Sequence, residues 1–159
     1  MELYVLRHGM AVGASAWAKD DASRPLTGDG AAQVEQFVCA LRDQSRLAAD
    51  LILASPLTRA QQTAAIAARA LGAPVETLPA LASGASPIGI VEALEEREEL
   101  PGRLMLVGHN PDLSMLVASL CGGSSLLRSL EPSGIAKLEG ELAFGRMRLA
   151  FSLSPRDLI

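Results

Sequence analysis

The chain has 159 residues, 49% of them hydrophobic, and a formal net charge of -4. That is enough apolar material for one self-sufficient core, and the acidic balance gives no electrostatic reason to expect nucleic acid or an anionic membrane surface as a partner. Cys39 and Cys121 are isolated thiols in helix-like apolar segments, without metal-type spacing, and predict buried reduced cysteines in a cytoplasmic protein. No apolar run approaches membrane-spanning length, and the chain starts directly on a strand-like segment.

Leu3-Tyr4-Val5-Leu6 is a short run of strand formers, ending in Arg7-His8-Gly9. Thr27, with Asp29 behind it, predicts a helix start, and Val34, Phe37, Val38 and Leu41 supply the apolar stripe. A second run, Leu51-Ile52-Leu53-Ala54, precedes a helical pattern of Ala60, Ala64, Ala67 and Leu71. Ile90, Val91 and Leu94 predict a further helix that ends in the acidic stretch Glu95 to Glu99, a solvated face. Leu104-Met105-Leu106-Val107 is a third run, followed by Leu113, Leu116, Val117 and Leu120 at helical spacing. The runs are continuously apolar, as in strands covered on both faces, and the order βαβαβαβα predicts a mostly parallel sheet between helices. Met147, Leu149, Phe151 and Leu153 alternate with polar or small residues, the period of a strand with one face covered. Gly140 to Gly145 turns it back on Ile135 to Glu139 as an antiparallel hairpin at one sheet edge. The expectation is an α/β three-layer sandwich in which residues 1–159 form a single domain.

The protein has only two histidines, and both follow an apolar run. Strand one ends in Arg7-His8, strand two in Ser55-Pro56 with Arg59 in the next turn, and the strand before the last helix in Gly108-His109. If these strands are parallel neighbours, two arginines and two histidines meet where open α/β sheets bind ligands. Ser55 with Pro56, and Asn110 with Pro111, read as caps with proline at the first helical position, so two helix starts point N–H groups at the same pocket. Arg59 lies in a first turn, unfavourable for a cation unless an anion stands opposite. Such a pocket suits a tetrahedral anion, and a histidine within it suits covalent phosphoryl transfer. Neighbouring arginines keep the imidazole neutral and nucleophilic, and their guanidinium forks match phosphate geometry. His8 is the expected nucleophile and Arg7, Arg59 and His109 the phosphoryl clamp. No metal-ligand spacing is present, and no cofactor is expected.

Arg7-His8-Gly9, Arg24-Pro25-Leu26-Thr27-x-x-Gly30, Ser55-Pro56-x-x-Arg59-Ala60-x-Gln62-Thr63-Ala64 and Val107-Gly108-His109-Asn110-Pro111 together resemble the histidine phosphatase superfamily, in its short SixA-like phosphohistidine phosphatase branch. The resemblance runs from residue 3 to about residue 120. It implies a hydrolase with His8 as the phosphorylated nucleophile, Arg7, Arg59 and His109 around the phosphoryl group, and Gly9, Gly108 and Arg24 in phosphate or substrate binding. Asp21 matches an acidic position of the SixA-like pattern. The implied partner is a phosphohistidine-bearing protein, such as a phosphotransfer domain, or a small phosphorylated substrate, with inorganic phosphate released.

The wider superfamily usually places an acidic proton donor after the third strand. Residues 79–86, Pro-Ala-Leu-Ala-Ser-Gly-Ala-Ser, contain no carboxylate. An alkoxide leaving group needs that proton more than an imidazole on a labile P–N bond does, so the gap favours phosphohistidine. The alternatives are a small-molecule phosphomonoesterase with its acid elsewhere, Asp21 being the first candidate, and a catalytically silent module that binds phosphate or a phosphoprotein. Trp17 either lines the substrate mouth or covers the core.

Overall fold

Each continuously apolar run becomes a strand whose side chains divide between two cores. In β1 (Glu2–Arg7) Leu3 and Val5 enter one core while Tyr4 and Leu6 enter the other. In β4 (Arg103–Gly108) Leu104 and Leu106 join the first and Met105 and Val107 the second. This is the alternation of a pleated strand with no wet face. The first core is closed by α3 (Pro87–Glu95) and α4 (Asp112–Leu120), the second by α1 (Gly28–Asp43) and α2 (Thr58–Leu71). The computed structural model describes residues 1–123 and 129–158.

With β2 (Leu51–Ala54), β3 (Val75–Thr77), β5 (Ile135–Gly140) and β6 (Met147–Leu153), the strands form one sheet in the order β3-β2-β4-β1-β5-β6. The first four are parallel, and β5 and β6 are antiparallel additions beside β1. This is the expected three-layer α/β domain with an edge hairpin. Its decisive feature is that β4 lies between β1 and β2, so the three strands that end in chemically interesting residues are neighbours.

The helix starts explain themselves locally in two cases. The Thr27 side chain accepts from the Gly30 N–H at 2.9 Å at the head of α1, and Ser86 accepts from the Gly89 N–H at 3.0 Å at the head of α3, with Pro87 in the first position. Gly72, at φ 67°, ends α2 in the left-handed conformation that favours glycine.

Three local expectations are corrected. Ser55 and Asn110 do not occupy the N-cap positions: α2 starts at Thr58 after Leu57, and α4 at Asp112 after Pro111, although Asn110 Oδ1 still accepts from the Ser114 N–H in the first turn of α4 at 3.3 Å. The Ser55 hydroxyl meets His109 instead, and the Asn110 amide donates to the Leu130 carbonyl at 2.8 Å. The alternating face of β6 is split, because β5 and β6 slip register between Lys137 and Leu138, leaving Ala150 unpaired. Beyond this bulge parity reverses, so Met147 and Leu149 join the first core while Phe151 and Leu153 lie against the second. Cys39 and Cys121 are free thiols, as expected, but half-buried rather than buried. Among the described residues no helix is long and apolar enough to cross a membrane.

Candidate active site

The register sets Arg7 level with Gly108, and Ala54 level with Val107. Two main-chain bonds carry the alignment past the strand ends: His8 N–H to the Gly108 carbonyl at 3.0 Å and Ser55 N–H to the Val107 carbonyl at 2.9 Å. His8, His109 and Ser55 therefore emerge side by side at the carboxyl edge of the sheet. A cleft of about 460 Å³ opens there, lined by Arg7, His8, Gly9, Asp21, Arg24, Arg59, Ser83 and His109 among others. That volume is in the range of small-molecule sites. Every side chain predicted for the site lies on it, whereas Gly108 is not among the lining residues and serves through its carbonyl to hold His8.

His8 is 9% exposed, and its Nδ1 stands 2.7 Å from the Gly9 carbonyl. A carbonyl only accepts, so Nδ1 carries the proton and Nε2 keeps its lone pair. Burial takes the imidazole from its ordinary 6.5 down to about 4, and Arg59, Arg7 and Arg24 push the same way against the Gly9 hydrogen bond. The ring is neutral at pH 7. Its neighbour His109 lies with ring centroids 5.2 Å apart and planes tilted by 59°. Burial, then His8 and Arg59, take His109 to about 4 as well. Its Nε2 is 2.7 Å from Ser55 Oγ, and its Nδ1 is buried without a partner among the described residues.

The arginines are held by one exposed carboxylate and by main-chain carbonyls. Asp21 Oδ1 accepts from Arg24 Nε at 3.1 Å and Asp21 Oδ2 from Arg59 Nη2 at 3.1 Å. Those two cations keep the Asp21 carboxyl below its usual range. Arg24 also donates to the Val12 carbonyl at 2.7 Å, and Arg7 to the Leu130 carbonyl at 2.9 Å. Each guanidinium retains N–H groups beyond these bonds. Trp17 is half-buried and does not line the cleft; its indole N–H is 3.1 Å from the Asp20 carbonyl, bracing the segment that carries Asp21 and Arg24.

Gly9 is required by close approach: a Cβ there would stand 2.6 Å from Val34 Cγ2 on α1. Its N–H donates to Thr63 Oγ1 at 3.1 Å, and the same hydroxyl donates to the Arg59 carbonyl at 2.8 Å, tying the His8 loop to α2. Thr63 falls within a sequence motif, but nothing in local sequence announces a bond spanning 54 positions. Asp112 was also missed. Its buried carboxylate accepts from Gly84 and Ala85 N–H at 2.8 and 3.1 Å, which fixes the loop that brings Ser83 to the cleft.

The family model of the histidine phosphatase superfamily (branch 1) matches residues 3–85. The chain is 39% identical over 127 residues to an uncharacterized protein of Picosynechococcus sp., covering 79% of this chain and 76% of that one. A solved structure of the protein histidine phosphatase SixA complexed with tungstate superimposes with a TM-score of 0.87 at 27% identity over 100% of both chains. A protein from Agrobacterium tumefaciens, assigned provisionally as the phosphohistidine phosphatase SixA, gives 0.81 at 28% identity over 97% of each. Two buried neutral histidines among three arginines, at the carboxyl edge of a sheet of this topology, agree with what the family match indicates. The chain belongs to branch 1 of the histidine phosphatase superfamily.

Proposed function

We propose that this phosphatase removes phosphate from phosphohistidine carried by a protein, through a phosphorylated His8 and without a metal. The observation that carries the reading is the commitment of His8 Nδ1–H to the Gly9 carbonyl, which leaves a bare Nε2 in a cleft of arginines. Nε2 attacks phosphorus, a new N–P bond forms as the substrate P–N bond breaks, and the departing imidazole takes up a proton from solvent water. Water then attacks the phospho-His8, releasing inorganic phosphate and restoring the neutral ring. Arg7, Arg24 and Arg59 meet the charge on the transferring oxygens.

The substrate class rests on leaving-group chemistry. The residue that the 79–86 loop brings to the cleft is Ser83, a poor acid. Asp21, the other candidate, is held as a carboxylate by two arginines and is therefore a poor proton donor. An imidazole leaving group tolerates this arrangement better than an alkoxide. The similarity to SixA structures supports the same choice. The test is turnover on a phosphohistidine-bearing phosphotransfer domain beside a panel of phosphate esters, with acid-labile phosphate trapped on the enzyme. Label on His8 and loss of turnover in His8→Ala are expected. Stable, unlabelled protein with no turnover on any substrate would make the chain a binding module, and better turnover of small alkyl esters would make it a phosphomonoesterase.

A further inference from the structure

Ser55 is fully buried, and among the described residues its hydroxyl has two hydrogen-bond partners: the Leu57 N–H at 3.2 Å and His109 Nε2 at 2.7 Å. The main-chain N–H can only donate, so toward Leu57 the hydroxyl oxygen is an acceptor. The hydroxyl proton then has one acceptor within reach, the lone pair of His109 Nε2, and leaving it unmade would strand a buried donor. A neutral imidazole that accepts at Nε2 carries its proton at Nδ1. That Nδ1 is the buried atom without a partner, on a ring that lines the cleft.

We infer that Ser55 is a positioning residue that fixes His109 in its Nδ1–H tautomer, so that this N–H is kept for a phosphoryl oxygen. The inference rests on the phosphatase reading for the identity of the anion, but the tautomer itself does not. In the opposite tautomer Nδ1 would turn a lone pair toward the oxyanion, replacing attraction with repulsion. The same hydroxyl thus explains both the failure of Ser55 to cap α2 and the unpaired nitrogen of His109. Low basicity of the ring keeps the tautomer question meaningful at pH 7, since a doubly protonated imidazole would need no such control.

Long-range proton–nitrogen spectra of the imidazoles test this without turnover. With only two histidines in the chain, the signals are assigned by the set lost in His8→Gln. His109 is expected to show a protonated Nδ1 and a bare Nε2 at pH 7, with Nδ1 moving when inorganic phosphate is added. Ser55→Ala should shift the ring toward the Nε2–H form and weaken phosphate binding about 10- to 100-fold, the worth of one charge-assisted hydrogen bond. Ser55→Thr, which keeps the hydroxyl, should restore both. A proton on Nε2 in the unsubstituted protein overturns the inference, as does Ser55→Ala with unchanged spectrum and affinity. If Ser55→Ala fails to fold, the spectrum of the unsubstituted protein decides alone. Absence of phosphohistidine turnover would sink the proposed function and leave this result standing.

Discussion

Arg59 reaches back 38 positions to grip Asp21 twice: Nη1 donates to its main-chain carbonyl at 2.9 Å and Nη2 to its carboxylate at 3.1 Å. Because the other carboxylate oxygen takes Arg24, a single aspartate sets the spacing of two cleft arginines that come from different parts of the chain. Arg59 is 4% exposed while the Asp21 side chain is 58% exposed, so the pair adds little to stability and acts mainly on geometry.

Removing that carboxylate should loosen phosphate recognition and spare the chemical step. Asp21→Ala is expected to raise KM, and the inhibition constant of inorganic phosphate, about 2- to 10-fold, the worth of one ordinary hydrogen bond, with kcat within a factor of about two. Steady-state kinetics with phosphate as inhibitor read this directly. A kcat loss of about 10²-fold confined to alkyl esters would instead make Asp21 the proton donor.

The depressed basicity of both imidazoles sets the pH range. His8 and His109 each titrate at about 4 rather than 6.5, so the nucleophile stays unprotonated well into acid. On nitrophenyl phosphate, used because phosphoramidates break down in acid, kcat/KM should hold from pH 7 to about 5 and fall as pH approaches about 4. The fall belongs to the pair, since the two rings are close enough to titrate together. A midpoint near 6.5 would mean that burial and the arginines do not govern His8.

The same shifts have a consequence for stability, and its sign is fixed by linkage. In the unfolded chain both histidines return to about 6.5, so between pH 6.5 and about 4 the unfolded state binds more protons than the folded one. Stability therefore rises with pH across that window and is lost on acidification, by roughly 3 kcal/mol for each fully shifted histidine. Melting temperature measured from pH 7 to 4 should drop, and His8→Gln, which removes one titrating ring, should flatten the slope. An equal slope in the variant would mean that burial does not shift His8, since the carboxylates that arginines hold low lose their stabilising contribution only as pH falls below about 4.

What sequence alone made visible was whatever repeats at short range. Continuous apolarity of residues 3–6, 51–54 and 104–107 is the consequence of burial on both faces, and it located the strands and the residues at their ends. The placement of β4 between β1 and β2 is a long-range choice made by packing, and it entered only as a condition on which convergence of His8, Arg59 and His109 depended. Hydroxyl roles were the least legible. Ser55 before a proline has the local signature of a cap, yet its partner lies 54 positions away on β4's exit loop, and a local signature cannot compete with a buried imidazole that also needs a donor. Thr63 was silent for the same reason. The bulge at Ala150 was hidden because an unbroken alternation in β6 carries no mark of where its partner slips.

The carboxylate of Asp112 fixes a loop beside the cleft that carries no acid of its own. General acid catalysis is worth about 10²- to 10⁴-fold, so kcat/KM on alkyl phosphates should fall below that on phosphohistidine by a comparable factor. Nitrophenyl phosphate, whose leaving group needs little protonation, should lie between. Ala80 packs on the core and is a poor place to install the missing acid, whereas Ser83 is exposed and lines the cleft. Ser83→Glu should therefore raise alkyl ester hydrolysis by about tenfold or more, since a donor within reach of the leaving oxygen recovers part of the acid term. It should leave phosphohistidine turnover unchanged or lower it, because the added charge repels the incoming phosphoryl group. Measuring all three substrate classes in both proteins supplies the ranking and its change together. Equal efficiency on alkyl esters and phosphohistidine in the unsubstituted enzyme would mean that a proton donor already operates in the cleft, and would move the substrate class to small phosphate esters.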